Sequence, residues 1–177
     1  MVLLFLAAPS MAYDPEDLDR LLLTRKCPSC DLSRADLTKA DLWGADLRNA
    51  NLVEAKLLEA DLREADLRGA DLFMANLIGV DLKAANLSNA DVTGANLYKA
   101  FMFGADLTDA NLFKANLNRA DLRNARLHRS NLFLADLGRA DLSGADIADA
   151  EWNGANLTGA VWIDNRRCGP GSRGMCR

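Results

Sequence analysis

From Leu32 to Trp162 every fifth residue is a large apolar one, Leu in most units and Val92, Met102, Ile147, Trp152 or Trp162 in the rest, without an insertion or deletion. Two places before each centre stands Ala, replaced only by Cys30, Val80 and Ser130. Between the two lies Asp or Asn in most units, as in Ala35-Asp36-Leu37 and Ala155-Asn156-Leu157. Such a period fits neither a helix of about 3.6 residues per turn nor the two-residue alternation of a strand. Within one unit, however, two apolar residues bracket a polar one, which is a single step of strand alternation: inward, outward, inward. The two remaining residues must turn the chain. Gly gathers at the second of them (Gly44, Gly69, Gly79, Gly94, Gly104, Gly144, Gly154, Gly159), where a turn of type II requires positive φ. Each unit therefore predicts one short side and one corner of a coil, with Ala and Leu inside.

The A-(D/N)-L-x-x pattern resembles the pentapeptide repeat proteins, and the resemblance covers residues 31–164. It implies an all-β, right-handed quadrilateral β-helix of four units per coil, with centres and preceding Ala packed inside and coils hydrogen-bonded to one another. Stacked at about 4.8 Å, roughly seven coils give a rod roughly 32 Å long.

A stacked coil exposes apolar interior at both ends, so caps are expected. Residues 13–30 supply one: Asp14-Pro15-Glu16-Asp17 has a capping Asp, Pro in the first turn and acids at the dipole's positive end. Leu18, Leu21 and Leu22 fall on one face of the short helix this predicts, with Arg25 and Lys26 closing its far end. At the other end Trp152 and Trp162 replace Leu, with Val161 and Ile163 nearby, and are expected to plug the last coil ahead of a Gly- and Cys-containing tail at 165–177.

Residues 1–12 form an apolar run closed by the small residues Ser10 and Ala12, at the minus-three and minus-one places of a cleavage site after Ala12, the pattern of a signal-peptide core without the basic start. The run is too short to span a bilayer, so no stable membrane span is expected after cleavage. The other reading is an apolar tail folded onto the protein. Four cysteines come as two close pairs, Cys27 with Cys30 and Cys168 with Cys176, and two local disulfides suit export. The Cys-x-x-Cys also fits metal binding or redox chemistry, though zinc needs two further ligands.

Catalytic chemistry finds little support. His128 is the only histidine, its neighbours Arg126 and Arg129 are basic, and no nucleophile and base stand together. No cofactor, metal or direct nucleic-acid contact is expected. Outward positions twenty residues apart share a face if four units complete a coil, and two sets stand out. The first is acidic: Asp41, Asp61, Asp81, Asp121 and Asp141, then Asp46, Asp66, Asp106 and Asp146. Residues 31–164 carry 21 acidic and 14 basic side chains, and some members of the resembled family imitate DNA toward type II topoisomerases. Arg48, Arg63, Arg68, Lys83 and Arg123 run beside these acids, and the alternative is a solvated face neutralised by its own cations. The second set is apolar: Val53, Phe73, Phe113 and Phe133 with Met74 and Leu134, joined on the adjacent face by Leu58, Ile78 and Tyr98. Stacked, they predict one continuous strip that binds a partner or another copy of the chain, or else covers the turns. The reading is an exported, non-catalytic scaffold of the periplasm or thylakoid lumen; the alternative is a cytoplasmic DNA mimic that inhibits or protects gyrase.

Overall fold

The computed structural model describes residues 13–177, so the proposed signal segment 1–12 lies outside the described residues. The chain winds as a parallel β-helix in which each residue before a centre bridges its counterpart twenty residues on, from Lys26 with Asp46 to Asp141 with Val161. Among the described residues the β-structure consists of isolated bridges, because a unit of five has room for one inward-outward-inward step before it must turn. The four segments of a coil, centred on Leu32, Leu37, Leu42 and Leu47, are called faces I to IV, and residues twenty apart share a face.

The backbone donors of one unit show why the repeat reads as it does. The centre Leu72 and the second corner residue Met74 donate to the next coil, to Asp91 at 2.7 Å and Thr93 at 3.0 Å. Ala75 closes the corner on Leu72 at 3.0 Å, and Asn76 donates to Ala55 of the preceding coil at 2.9 Å. One N–H remains, that of Phe73, and the Asp71 side chain accepts it at 2.9 Å. The Asp or Asn before each centre therefore completes the satisfaction of the unit's donors through an Asx turn. That is a stricter role than the outward place the alternation predicts for it.

The second corner residue has positive φ throughout the repeat region, and most such positions hold residues other than Gly, among them Glu64 (φ 58°), Met74 (φ 57°) and Leu134 (φ 59°). Each costs about 1 kcal/mol of left-handed strain. The inter-coil bond from that residue and the corner closure beside it hold the conformation regardless, so Gly marks the corner without being required there.

Inside, the centres and their preceding Ala form one continuous core, with Leu72, Leu107 and most others wholly buried. Ser130, in an Ala place, is also buried, and its hydroxyl donates to Leu127 O at 2.8 Å.

Helix α1 (Pro15–Thr24) covers the N-terminal end. Asp14 caps it by accepting from Glu16 N, and Arg25 ends it in the left-handed conformation. Leu21 is buried and Leu18 partly so, but Leu22 is 53% exposed, contrary to its expected place in the cap. The coil register begins earlier than residue 31: Lys26 already bridges Asp46, Cys27 takes a centre's place and Cys30 an Ala's. At the other end Trp152 and Trp162 meet edge to face at 5.5 Å and are only partly buried, so they are an incomplete plug. The tail completes the cover. It returns antiparallel, bridging Val161 with Arg167 and Asn156 with Arg173, so that Gly159 N donates to Cys168 O and Leu157 N to Ser172 O. Disulfides join Cys27 to Cys30 and Cys168 to Cys176, one at each end.

Candidate functional site

Faces I and II carry the apolar set. Phe73 (41%), Met74 (55%), Phe133 (39%) and Leu134 (44%) are exposed, while Val53, Leu58, Ile78, Tyr98 and Phe113 are half-buried. The rings of Phe113 and Phe133, one coil apart, stack at 5.8 Å with planes 4° apart. The set is not one continuous strip. Thr93 occupies the column between Phe73 and Phe113, while Leu58, Ile78 and Tyr98 lie at the next corner, beyond the outward residues Lys56, Asn76 and Asn96. The result is two parallel apolar columns. The outward positions between them include Asn76, Asn96 and Asn116, and amide ladders run on both faces: Asn116 donates to Asn96 between the columns and Asn131 to Asn111 beside the face I column, each at 3.0 Å.

Faces III and IV carry the acidic set, and most of its members hold a cation. Asp61 is bound by Arg63, Asp66 by Arg68, Asp46 by Arg48 and Asp121 by Arg123, each through two guanidinium nitrogens. Lys83 pairs with Asp81 at 2.9 Å, Arg126 with Asp106 at 2.9 Å, and Arg25 with Asp41. Hydrogen bonds from these arginines hold the Asp46, Asp61, Asp66 and Asp121 carboxyls below the ordinary carboxylate range. Asp141 instead accepts from Ser143, and Asp146 from Ala148 N. The arrangement is a ladder of local ion pairs in which Arg48, Arg63, Arg68 and Arg123 are each aimed by the Asp two places before them, while Arg126 and Arg25 reach more distant acids.

Three exposed aromatics escaped the sequence reading: Trp43, Phe101 and Phe103, all on face III. Phe101 stands in a column that has Asp from Asp41 to Asp141 otherwise, with Lys83 Nζ 5.0 Å from its ring centre, and Arg123 lies 5.7 Å from the Phe103 ring. Reading the face III column as the face I column was read would have found them.

No catalytic grouping emerges among the described residues. His128 Nε2 faces Arg129 Nη1 at 2.8 Å, and that arginine is committed to Asp109. Asp17 lies near Cys27 and Cys30, but the sulfurs are spent in their disulfide and the carboxylate receives Arg20 and Asp31 N. No helix among the described residues is long and apolar enough to cross a membrane.

A family model described as pentapeptide repeats matches in eight copies at residues 30–69, 65–102, 75–112, 102–138 and 135–161. Among solved structures the chain is similar to HetL, a pentapeptide repeat protein involved in heterocyst differentiation regulation in the cyanobacterium Nostoc (31% identity, 76% of this chain and 77% of that one, TM-score 0.33). It is similar also to a pentapeptide repeat protein of the Arabidopsis thaliana thylakoid lumen (27% identity, 59% and 69% covered, TM-score 0.44). A third is QnrB1, a plasmid-mediated fluoroquinolone resistance protein (26% identity, 71% and 66% covered, TM-score 0.47). The search of curated proteins gave no match.

Proposed function

Because the chain belongs to the pentapeptide repeat family, we propose that it is a non-catalytic scaffold, a right-handed quadrilateral rod that holds a protein partner or a second copy of itself on faces I and II. The observation that carries this is the pair of apolar columns on faces I and II, with Phe73 and Phe133 exposed and Phe133 stacked on the half-buried Phe113. Aromatic side chains commonly dominate such interfaces. Replacing Phe73, Phe113 and Phe133 together by Ser is expected to convert an associated form to a monomer in light scattering, or to abolish partner capture, while circular dichroism stays unchanged. A monomeric wild type that captures the same partners as the variant would refute the interface.

We place this activity outside the cytoplasm, in a periplasm or thylakoid lumen, since two end-capping disulfides suit an oxidising compartment. The reading as a DNA mimic acting on gyrase is weaker, because the columns that would imitate phosphate are largely paired with their own arginines and lysines. Cell fractionation separates the two: a protein recovered only from the cytoplasm would overturn the export reading.

A further inference from the structure

Several cations at second corner positions are neutralised from one coil away, because a second corner residue has no Asx partner within its own unit; Lys114 instead lies with its Nζ 4.8 Å from the Phe113 ring centre. Arg34 reaches Glu54 at 2.8 Å, Lys39 reaches Glu59 at 3.4 Å, and Arg129 reaches Asp109 at 2.6 Å. The corner leading from face II to face III gathers cations without such pairs in its C-terminal half. There Lys99, Arg119 and Arg139 follow one another on successive coils, each with positive φ, and none has a carboxylate within 4.0 Å among the described residues. The next corner residue is Gly159, and the returning tail puts another cation beside it: Arg167 Nη1 donates to Gly159 O at 3.1 Å. Arg139 leans to the same place, since a Cβ on Gly159 would lie 3.4 Å from Arg139 Cγ. Two arginines therefore border the same bare glycine, neither with a carboxylate within 4.0 Å among the described residues, an arrangement that an anion would stabilise. An open groove of about 390 Å³ lies here, lined by Arg139, Arg167, Thr158, Gly159, Pro170 and the disulfide-bonded Cys168.

We propose that this groove binds an oxyanion carried on a small organic molecule, such as a carboxylate or phosphate ester. The guanidiniums of Arg139 and Arg167 and the Thr158 hydroxyl take the anionic group, and the apolar remainder lies against Pro170. The site is independent of the apolar columns on faces I and II. It also explains why the basic run ends where the antiparallel tail folds back, since only that return brings Arg167 to the face II corner.

Calorimetric titration of the full disulfide-bonded chain with phenyl phosphate, and separately with inorganic phosphate, tests the proposal. Saturable binding is expected, weakened by added salt and roughly tenfold or more weaker in the Arg139→Gln/Arg167→Gln double variant. Arg34→Gln, at an acid-paired corner, should bind as wild type does. Since Arg167 also holds the tail, Arg139→Gln alone serves as a second variant that removes no hydrogen bond within the chain. Tighter binding of phenyl phosphate supports an organic anion; equal affinity for both probes, lost in the variants, assigns the oxyanion site to the free ion. Absence of saturable heat with either probe, or titrations unchanged in both Arg139→Gln and the double variant, overturns the site.

Discussion

Faces I and II differ from faces III and IV only in their outward residues, yet the difference makes two kinds of surface from one backbone. On both sides the Asx residue has the same duty toward the N–H two places on, and Asp and Asn perform it equally well: Asp61 accepts from Arg63 N at 3.2 Å and Asn131 from Phe133 N at 3.0 Å. The choice between them is made by the company they keep. Every Arg or Lys that directly follows a centre (Arg48, Arg63, Arg68, Lys83, Arg123) has Asp two places before it, whereas Val53, Ile78, Tyr98, Phe113 and Phe133 have Asn. Aspartates stacked one coil apart repel unless each holds a cation, whereas asparagines stacked at the same distance donate to one another. Most members of the apolar columns therefore sit beside an amide that needs no neighbouring cation, with Phe73 after Asp71 and Leu58 after Lys56 as exceptions. The proposed interface is legible in the amides as much as in the rings.

The strongest way to break the comparison is to ask whether the two sides share one core. Leu72→Lys on face I and Leu107→Lys on face IV each put a charge where the side chain is wholly buried, and burial of an unpaired charge costs more than the several kcal/mol by which such a domain is stable. Both variants are expected to lose the cooperative transition in scanning calorimetry, whereas Asp66→Ser should stay within about 1 kcal/mol of wild type. Retention of the wild-type melting temperature by either Lys variant would mean that its side of the core is not continuous with the other.

A smaller change exchanges the outward logic. Asn111→Asp with Asn131→Asp removes amide donors from face I and stacks carboxylates there, with an expected cost of about 2 kcal/mol at neutral pH. Like charges raise the native pKa of the new carboxyls, so this deficit should be present above their native values and vanish as pH falls below the unfolded carboxylate value. Faces III and IV run the opposite way. The carboxyls of Asp61, Asp66 and Asp121 are lowered in the native state by their arginines, so the stability they contribute is complete above the unfolded value of about 3.9 and is lost as pH falls through the lowered native values. Thermal melts of variant and wild type from pH 7 to pH 3 should therefore converge. Parallel curves would show that the Asx position does not sense charge.

Much of this was present in the sequence, because a strict period of five leaves few ways to bury Leu and Ala together, and twenty-residue columns could be read before any coordinate. What was missed depended on contacts that a column list does not contain. Thr93 interrupts the face I column, and only the turn geometry separates Phe113 from Tyr98 by a row of polar residues. The tail was read as a trailing segment because antiparallel pairing of Arg167 and Arg173 with the last coil has no periodic signal. The ion pairs of faces III and IV were visible as neighbouring letters, but their bidentate geometry required the Asx residue and the following arginine to project from the same side of one turn. Leu22 looked like core by spacing; a ten-residue cap lying over one coil end has a narrower buried stripe than its leucines suggest.

The finest distinction concerns the corners. Glu64 at a face III corner and Met74 at a face I corner hold nearly the same strained φ, 58° and 57°, so replacing either by Gly should relieve the same strain, with a net gain of no more than about 1 kcal/mol after the added freedom of the unfolded chain. Glu64 has no ion pair or side-chain hydrogen bond among the described residues, and its replacement should realise that gain in full. Met74 also lies over the next coil, where a Cβ on Gly94 would be 2.7 Å from its sulfur, so Met74→Gly removes cover as well as strain. If the methionine only shields the backbone beneath it, the second variant should gain less than the first, or lose stability, in chemical denaturation. Equal gains in the isolated protein would mean that Met74 contributes nothing to its own fold, which is the behaviour expected of a side chain retained for contact with another molecule.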